Sequence, residues 1–238
     1  MTDRPTLSKV GPLPLGASNS LYARLREDCT AEWAAYTGHA FVRGLADGSL
    51  PEAAFRHYLG QDYLFLIHFA RAYGLAVYKA DRLDDMRAAS ASLSAILDVE
   101  MALHVKFCSD WGLTEADMAA LPEDSATLAY TRFVLEAGLA GDLLDLHIAL
   151  APCILGYAEI GSALRRDRKT VLDTNPYRDW IEMYAGEDYQ DIAREEVETI
   201  ERLAGRRGGE ARFEALARTF RAATRLEIDF WQMGLNAG

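Results

Sequence analysis

The chain has 238 residues, half of them hydrophobic, with a formal net charge of −11. That composition supports a sizeable core and excludes a disordered chain. The acidity repels duplex nucleic acid and anionic lipid on average, and the basic pairs Arg165-Arg166 and Arg206-Arg207 are too short to offset it, so neither a nucleic-acid partner nor a membrane partner is expected.

Residues 1–17 carry Pro5, Gly11, Pro12, Pro14 and Gly16 without an apolar run, and read as a loosely ordered arm rather than a signal peptide. Beyond it, residues 18–238 read as one all-α domain: helical periodicity runs nearly throughout, and no stretch alternates as a strand would. The predicted helices cover 18–37, 50–80, 82–110, 114–120, 124–138, 142–167, 176–185, 188–204 and 209–235. Ser49-Leu50-Pro51-Glu52 has the pattern of a capping box, and Asn175-Pro176 that of an N-cap followed by a first-turn proline. Gly205 and the pair Gly208-Gly209 punctuate the last two helices. The longest apolar run, 148–158, is too short to span a bilayer. Connections are short, and the elements form a helical bundle.

Reactive side chains interrupt three apolar stripes. Asp62 lies amid Phe55, Tyr58, Phe65, Phe69 and Tyr73 in 50–80, and Glu227 amid Phe220, Ala223 and Phe230 in 209–235. Cys153 shares a stripe with Leu146, Leu150, Tyr157 and Ile160 in 142–167, directly after Pro152, which removes a helical hydrogen bond. A carboxylate on a buried stripe costs free energy unless it is paired or functional. Each of the three has a bland alternative: an acid bonded to a neighbouring arginine or tyrosine, or a cysteine that merely fills space. Two such acids together with a thiol on a third stripe favour a shared site.

Cys29, Cys108 and Cys153 are odd in number and far apart, with no CxxC spacing, which fits reduced thiols in a cytoplasmic protein and no metal. His39, His57, His68, His104 and His147 read as packed or surface residues; Glu100 and His104 are spaced for a hydrogen bond on one helix face. No Glu-x-x-His pair, HExxH or glycine-rich phosphate loop is present, so no cofactor is expected. The run Glu195, Glu196, Glu198 and Glu201 with Arg194 and Arg202 reads as a solvated helix face.

Six segments in order complete the pattern. They are Tyr58-Leu-Gly-Gln-Asp-Tyr-Leu-Phe65 with His68-Phe-Ala-Arg71, then Glu100-Met-Ala-Leu-His104, then Leu150-Ala-Pro-Cys153. Tyr157-Ala-Glu-Ile-Gly161, Trp180-Ile-Glu-Met-Tyr-Ala-Gly186 and Glu227-Ile-Asp-Phe-Trp231 follow. Over roughly residues 20–235 the chain resembles the TenA (thiaminase II, aminopyrimidine aminohydrolase) family. The resemblance implies a heme-oxygenase-like helical bundle, usually a homotetramer, that hydrolyses an aminopyrimidine. It also implies Cys153 as the catalytic cysteine, Glu227 as the catalytic glutamate, Asp62 as the group that grips the pyrimidine, and Phe65, Tyr130, Tyr157 and Tyr184 as pocket residues. Phe65 stands where members carry Tyr or Phe; it keeps the stacking surface and lacks a hydroxyl. A PqqC-like or heme-oxygenase-like enzyme and a non-catalytic pyrimidine-binding regulator are the competing readings. The first needs oxygen-handling or heme-binding residues, and the second needs only the pocket.

Overall fold

A computed structural model describes residues 15–237, so most of the predicted arm, 1–14, lies outside the described residues. Twelve α-helices and no strand are present among them. The chain runs α1 (Leu21–Asp28), α2 (Thr30–Thr37), α3 (Ala40–Asp47), α4 (Glu52–Lys79), α5 (Leu83–Ala95), a π-helical turn (Ile96–Glu100) and α6 (Met101–Asp110). It continues through α7 (Glu115–Ala119), α8 (Ser125–Ala140), α9 (Leu143–Arg166), α10 (Arg178–Ala185), α11 (Glu187–Arg206) and α12 (Phe213–Asn236).

The centre is α9, which packs against α8, α10, α11 and α12. Sixteen of its 24 residues are buried, a share only a helix enclosed by neighbours can reach. Its start is fixed electrostatically. The Asp142 carboxylate accepts from the amides of Leu144 and Asp145, the Asp145 carboxylate accepts from the amide of Asp142, and the Arg212 guanidinium clamps both acids. Arg165 and Arg166 close its C-terminus, where the helix dipole favours cations. Two helices, 83–110 and 143–166, are long and apolar enough to cross a membrane. In the second, 83% of the most apolar window is buried by protein, as in a core helix; in the first only 11% is, which leaves an apolar surface uncovered.

Several expected boundaries move. The stretch 18–37 breaks at Cys29, where the Thr30 hydroxyl donates to the Glu27 carbonyl and the backbone leaves the helical region. Residues 40–47, assigned to no element from the sequence, form α3, capped by the His39 ring and ended by Gly48 at φ +76°. The capping box at Ser49 does not form. The Ser49 amide instead donates to the Asp47 carboxylate, and α4 starts after Pro51 with no side-chain cap. Asn175 accepts from the Tyr177 amide and donates to the Leu45 carbonyl, so it caps a turn that ties α3 to α10, and the helix begins only at Arg178. Gly205 lies inside α11, and the chain turns at Gly208, φ +66°. The acidic run on α11 is also not uniformly solvated: Glu196 is buried against His147, and Glu201 accepts from the Tyr22 amide.

Candidate active site

Side chains from α4, α8, α9 and α12 converge where the three interrupted stripes meet. Asp62, Phe65, Tyr130, Cys153, Tyr157, Glu227 and Phe230 line one chamber of about 10 Å³. That volume holds no more than a water molecule, so a pyrimidine ring enters only when the walls separate. Six of the seven residues expected at the site are therefore together. Tyr184 stands one layer back, its ring against Tyr157 at 4.9 Å and Trp180 at 4.6 Å.

Glu227 is 1% exposed and, among the described residues, has no cation beside it. The Tyr130 hydroxyl donates to its Oε1 at 2.8 Å. Burial pushes its carboxyl up to about 8, helped by the Asp62 charge and opposed by the hydroxyls of Tyr130 and Tyr36. At neutral pH it therefore carries a proton, the state a general acid requires. Tyr36 is held by a long bond to the Pro152 carbonyl, 3.3 Å, on the turn that carries Cys153. Gly156 makes room for it: a Cβ there would lie 2.2 Å from the Tyr36 ring.

Asp62 is buried on α4, with the Tyr58 hydroxyl 3.5 Å from Oδ2 and His104 Nδ1 at 3.7 Å. Trp180 Nε1 donates to the Tyr58 hydroxyl, 3.3 Å, which orients that hydroxyl towards the acid. His104 Nε2 lies 3.1 Å from the Leu59 carbonyl, so Nε2 carries a proton and Nδ1 faces Asp62. Its partner is therefore Asp62 rather than Glu100. Burial pushes the Asp62 carboxyl up, with His104 and Tyr58 favouring the charged form. An acid so placed can accept from an amine on the edge of a flat ring.

Burial raises the Cys153 thiol well above its ordinary value, and Glu227, Asp62 and Glu100 reinforce the shift. The free protein thus holds a neutral thiol; a thiolate forms only as its proton is passed on. The aromatic walls are continuous. Phe65 packs on Tyr130 at 5.1 Å and on Phe230 at 5.9 Å, and Tyr157 on Trp231 at 5.2 Å. Such walls suit an aromatic ligand.

Sequence reasoning passed over Tyr36, His104 and Trp180 as site residues. Tyr36 drew no notice, Trp180 entered only as the start of the segment Trp180–Gly186, and His104 was one of five histidines read as packed or surface residues. The spacing of His104 from Glu100 on one face was the available signal, read towards the wrong partner.

The chamber and its frame define an all-α protein with a thiol and two buried carboxyls, neither paired with an arginine or lysine, facing one chamber inside a helical bundle. Comparisons with known proteins give the family. The model of the TENA/THI-4/PQQC family matches residues 26–237, and the chain belongs to that family. An aminopyrimidine aminohydrolase of Halalkalibacterium halodurans is 35% identical over 218 residues, covering 91% of this chain and 96% of that one. An uncharacterized protein of Haemophilus influenzae is 40% identical over 204 residues, covering 86% of this chain and 94% of that protein. Among solved structures, a TenA family transcription regulator from Silicibacter sp. TM1040 superposes with a TM-score of 0.86 at 45% identity, covering 91% of this chain and 96% of that one. A Shewanella denitrificans domain with a heme oxygenase-like fold superposes at a TM-score of 0.68 and 14% identity, covering 89% of this chain and 92% of that one, and the fold here is of that type.

Proposed function

We propose that this chain hydrolyses an aminomethylpyrimidine, and thiamin as well, releasing hydroxymethylpyrimidine by covalent catalysis at Cys153. The observation that carries the reading is Glu227, a proton-bearing acid across a closed aromatic chamber from a thiol. The 35% identical aminopyrimidine aminohydrolase supports the substrate class.

In this mechanism the pyrimidine lies between Phe65, Tyr130 and Tyr157, and its exocyclic amine donates to Asp62. Glu227 gives its proton to a ring nitrogen, which makes the neighbouring ring carbon electrophilic. Cys153 Sγ bonds to that carbon while the thiol proton returns to Glu227, so the net step adds S–H across a ring C=N bond. Electrons from the 4-amino side of the ring then expel the substituent on the 5-methylene, and the C–N bond breaks with its pair on the departing nitrogen. Water adds to the exocyclic methylene. The ring nitrogen returns its proton, the C–S bond breaks, and hydroxymethylpyrimidine and the free thiol are restored. Covalent attachment divides one difficult substitution into easier steps.

The reading extends to assembly and place. Exposed Leu83, Leu97, Val99 and Leu103 on the 83–110 helix, interrupted by Arg87, Asp98 and Lys106, suit further copies of this chain better than lipid, in keeping with a homotetramer. Three free cysteines suit the cytoplasm. Light scattering of the purified chain measures the assembly.

The activity is tested by incubating the protein with aminomethylpyrimidine and with thiamin and detecting hydroxymethylpyrimidine by mass spectrometry. Product is expected from wild type, and Cys153→Ala should lower turnover by about 10⁴-fold or more while pyrimidine affinity is nearly intact. Undiminished turnover in Cys153→Ala would make the thiol a packing residue. A second reading, a ligand-binding regulator with no turnover, is favoured by the name of the 45% identical structural relative. Pyrimidine binding without product from wild type selects it.

A further inference from the structure

A groove of about 380 Å³ between α4, α5, α9 and α11 adjoins the far smaller Cys153 chamber. The two back onto each other. Phe65 lines the chamber while Phe69, one turn on in α4, lines the groove, and Ile154, next to Cys153 in α9, lines it as well. The wall between them is a few side chains thick. Phe69 and Tyr73 stand in it, their rings packed edge to face at 5.2 Å.

One carboxyl in the groove is unaccounted for by packing or pairing. Asp85 is bound by Arg202 and Arg206, and Glu196 by His147. Glu195 lies exposed. Glu100 is half-buried, and among the described residues no hydrogen bond or ion pair holds it. It ends the π-helical turn Ile96–Glu100, a widened turn that resets the phase of the helix. Leu97 and Val99 in that turn and Leu103 after it face outward, while Glu100 lines the groove and His104, one turn later, faces the interior. His104 reaches Asp62, and the Glu100 charge bears on Asp62, Cys153, Tyr73 and Tyr189. An unpaired carboxyl that lines the groove, with its charge felt at the reacting thiol, suits a cationic substituent held on that side before its C–N bond breaks.

We infer that Glu100 is a specificity-determining residue that holds the cationic substituent of the substrate, the groove being the route by which it departs. The inference rests on the hydrolase reading and deepens it. A primary amine on the pyrimidine methylene is an ammonium at neutral pH, and a thiazolium is a permanent cation; both would meet Glu100, whereas a neutral substituent would gain nothing. The protonated amine departs as ammonia once the C–N pair moves to nitrogen, so no further proton is needed, and Glu100 acts by charge and position alone.

The test compares Glu100→Gln with the unaltered residue. Calorimetry in a Cys153→Ala background, where no turnover intrudes, measures affinity for cationic aminomethylpyrimidine and for neutral hydroxymethylpyrimidine. Steady-state kinetics in the wild-type background follows. We expect Glu100→Gln to weaken aminomethylpyrimidine by about tenfold or more, leave hydroxymethylpyrimidine within about twofold, and raise KM with little change in kcat. Glu100→Asp should recover part of the loss, and Glu195→Gln, on the groove rim, should show none. Equal weakening of both ligands, or of neither, overturns the inference while leaving the hydrolase reading in place if product still forms. Absence of both binding and turnover in wild type sinks the two together. Binding without turnover sinks the hydrolase reading, yet the cation-to-neutral ratio still decides the role of Glu100.

Discussion

Asp85 and Glu227 are buried to nearly the same degree, 4% and 1% exposed, and the molecule treats them in opposite ways. Asp85 on α5 is gripped by Arg202 and by Arg206, the latter at 2.6 Å, both from α11. Burial would raise its carboxyl, but the two guanidinium groups outweigh that and hold it below the usual carboxylate value. Glu227 on α12 receives hydroxyls, chiefly that of Tyr130, and its carboxyl rises to about 8. Desolvation that is offset by cations yields a structural ion pair; desolvation met only by neutral donors leaves a carboxyl that keeps its proton in the working range. Depth of burial does not distinguish a pin from an acid. The partners do.

The strongest way to break the contrast is Glu227→Gln. It keeps the volume and an acceptor for the Tyr130 hydroxyl but carries no transferable proton, so kcat should fall by about 10²–10⁴-fold, with a much smaller change in affinity. In wild type, kcat should decline as pH rises through about 8, because the acid form is lost there. Stability follows the same group. Its pKa is raised from 4.5 to about 8 on folding, so the folded state binds the extra proton. The resulting stability is fully present below about 4.5 and lost as pH rises through about 8. Glu227→Gln should remove that loss, on the order of a few kcal/mol, and flatten the dependence of Tm on pH between these limits. A variant as active as wild type, or a Tm profile of unchanged slope, contradicts the assignment.

Asp62→Ala sharpens the contrast from inside the chamber. Asp62 shares the absence of an arginine, and in the proposed mechanism it grips rather than donates. Affinity for the pyrimidine should drop by about 1–3 kcal/mol, since a polar edge of the ligand goes unpaired. Calorimetry reads this directly; intact affinity would move the gripping role elsewhere.

The smallest effect is expected at the other pole. Asp85→Asn replaces the carboxylate shared by two arginines with one neutral acceptor and a donor, and should cost about 1–3 kcal/mol at neutral pH, seen in denaturant melts, with kcat and KM unchanged. Because the folded carboxyl lies below its unfolded value of 3.8, the stability it supplies is present above that value and lost as pH falls through the folded one. The gap between Asp85→Asn and wild type should therefore close in acid. Loss of activity together with stability would tie the α5–α11 seam to the chamber.

What the chain determines locally was legible without coordinates. The 3.6-residue period announced long helices, and α4, α8, α9 and α12 start and end within a few residues of expectation. The same period placed Asp62, Cys153 and Glu227 on buried faces, because a stripe fixes which side of a helix turns inward. It could not say which stripes face each other. Tertiary packing alone brought Tyr36 to Pro152 across 116 residues and Tyr130 to Glu227 across 97. Packing also turned His104 towards Asp62, through a π-helical turn that no helical period foretells. It decided the fate of each buried acid as well: Glu196 looked solvated until His147 covered it, and Asp85 drew no notice until two arginines more than a hundred residues away closed on it. A periodic pattern records the free energy of one helix face against water, whereas the protonation and reactivity of a buried group depend on charges and donors that arrive from other helices.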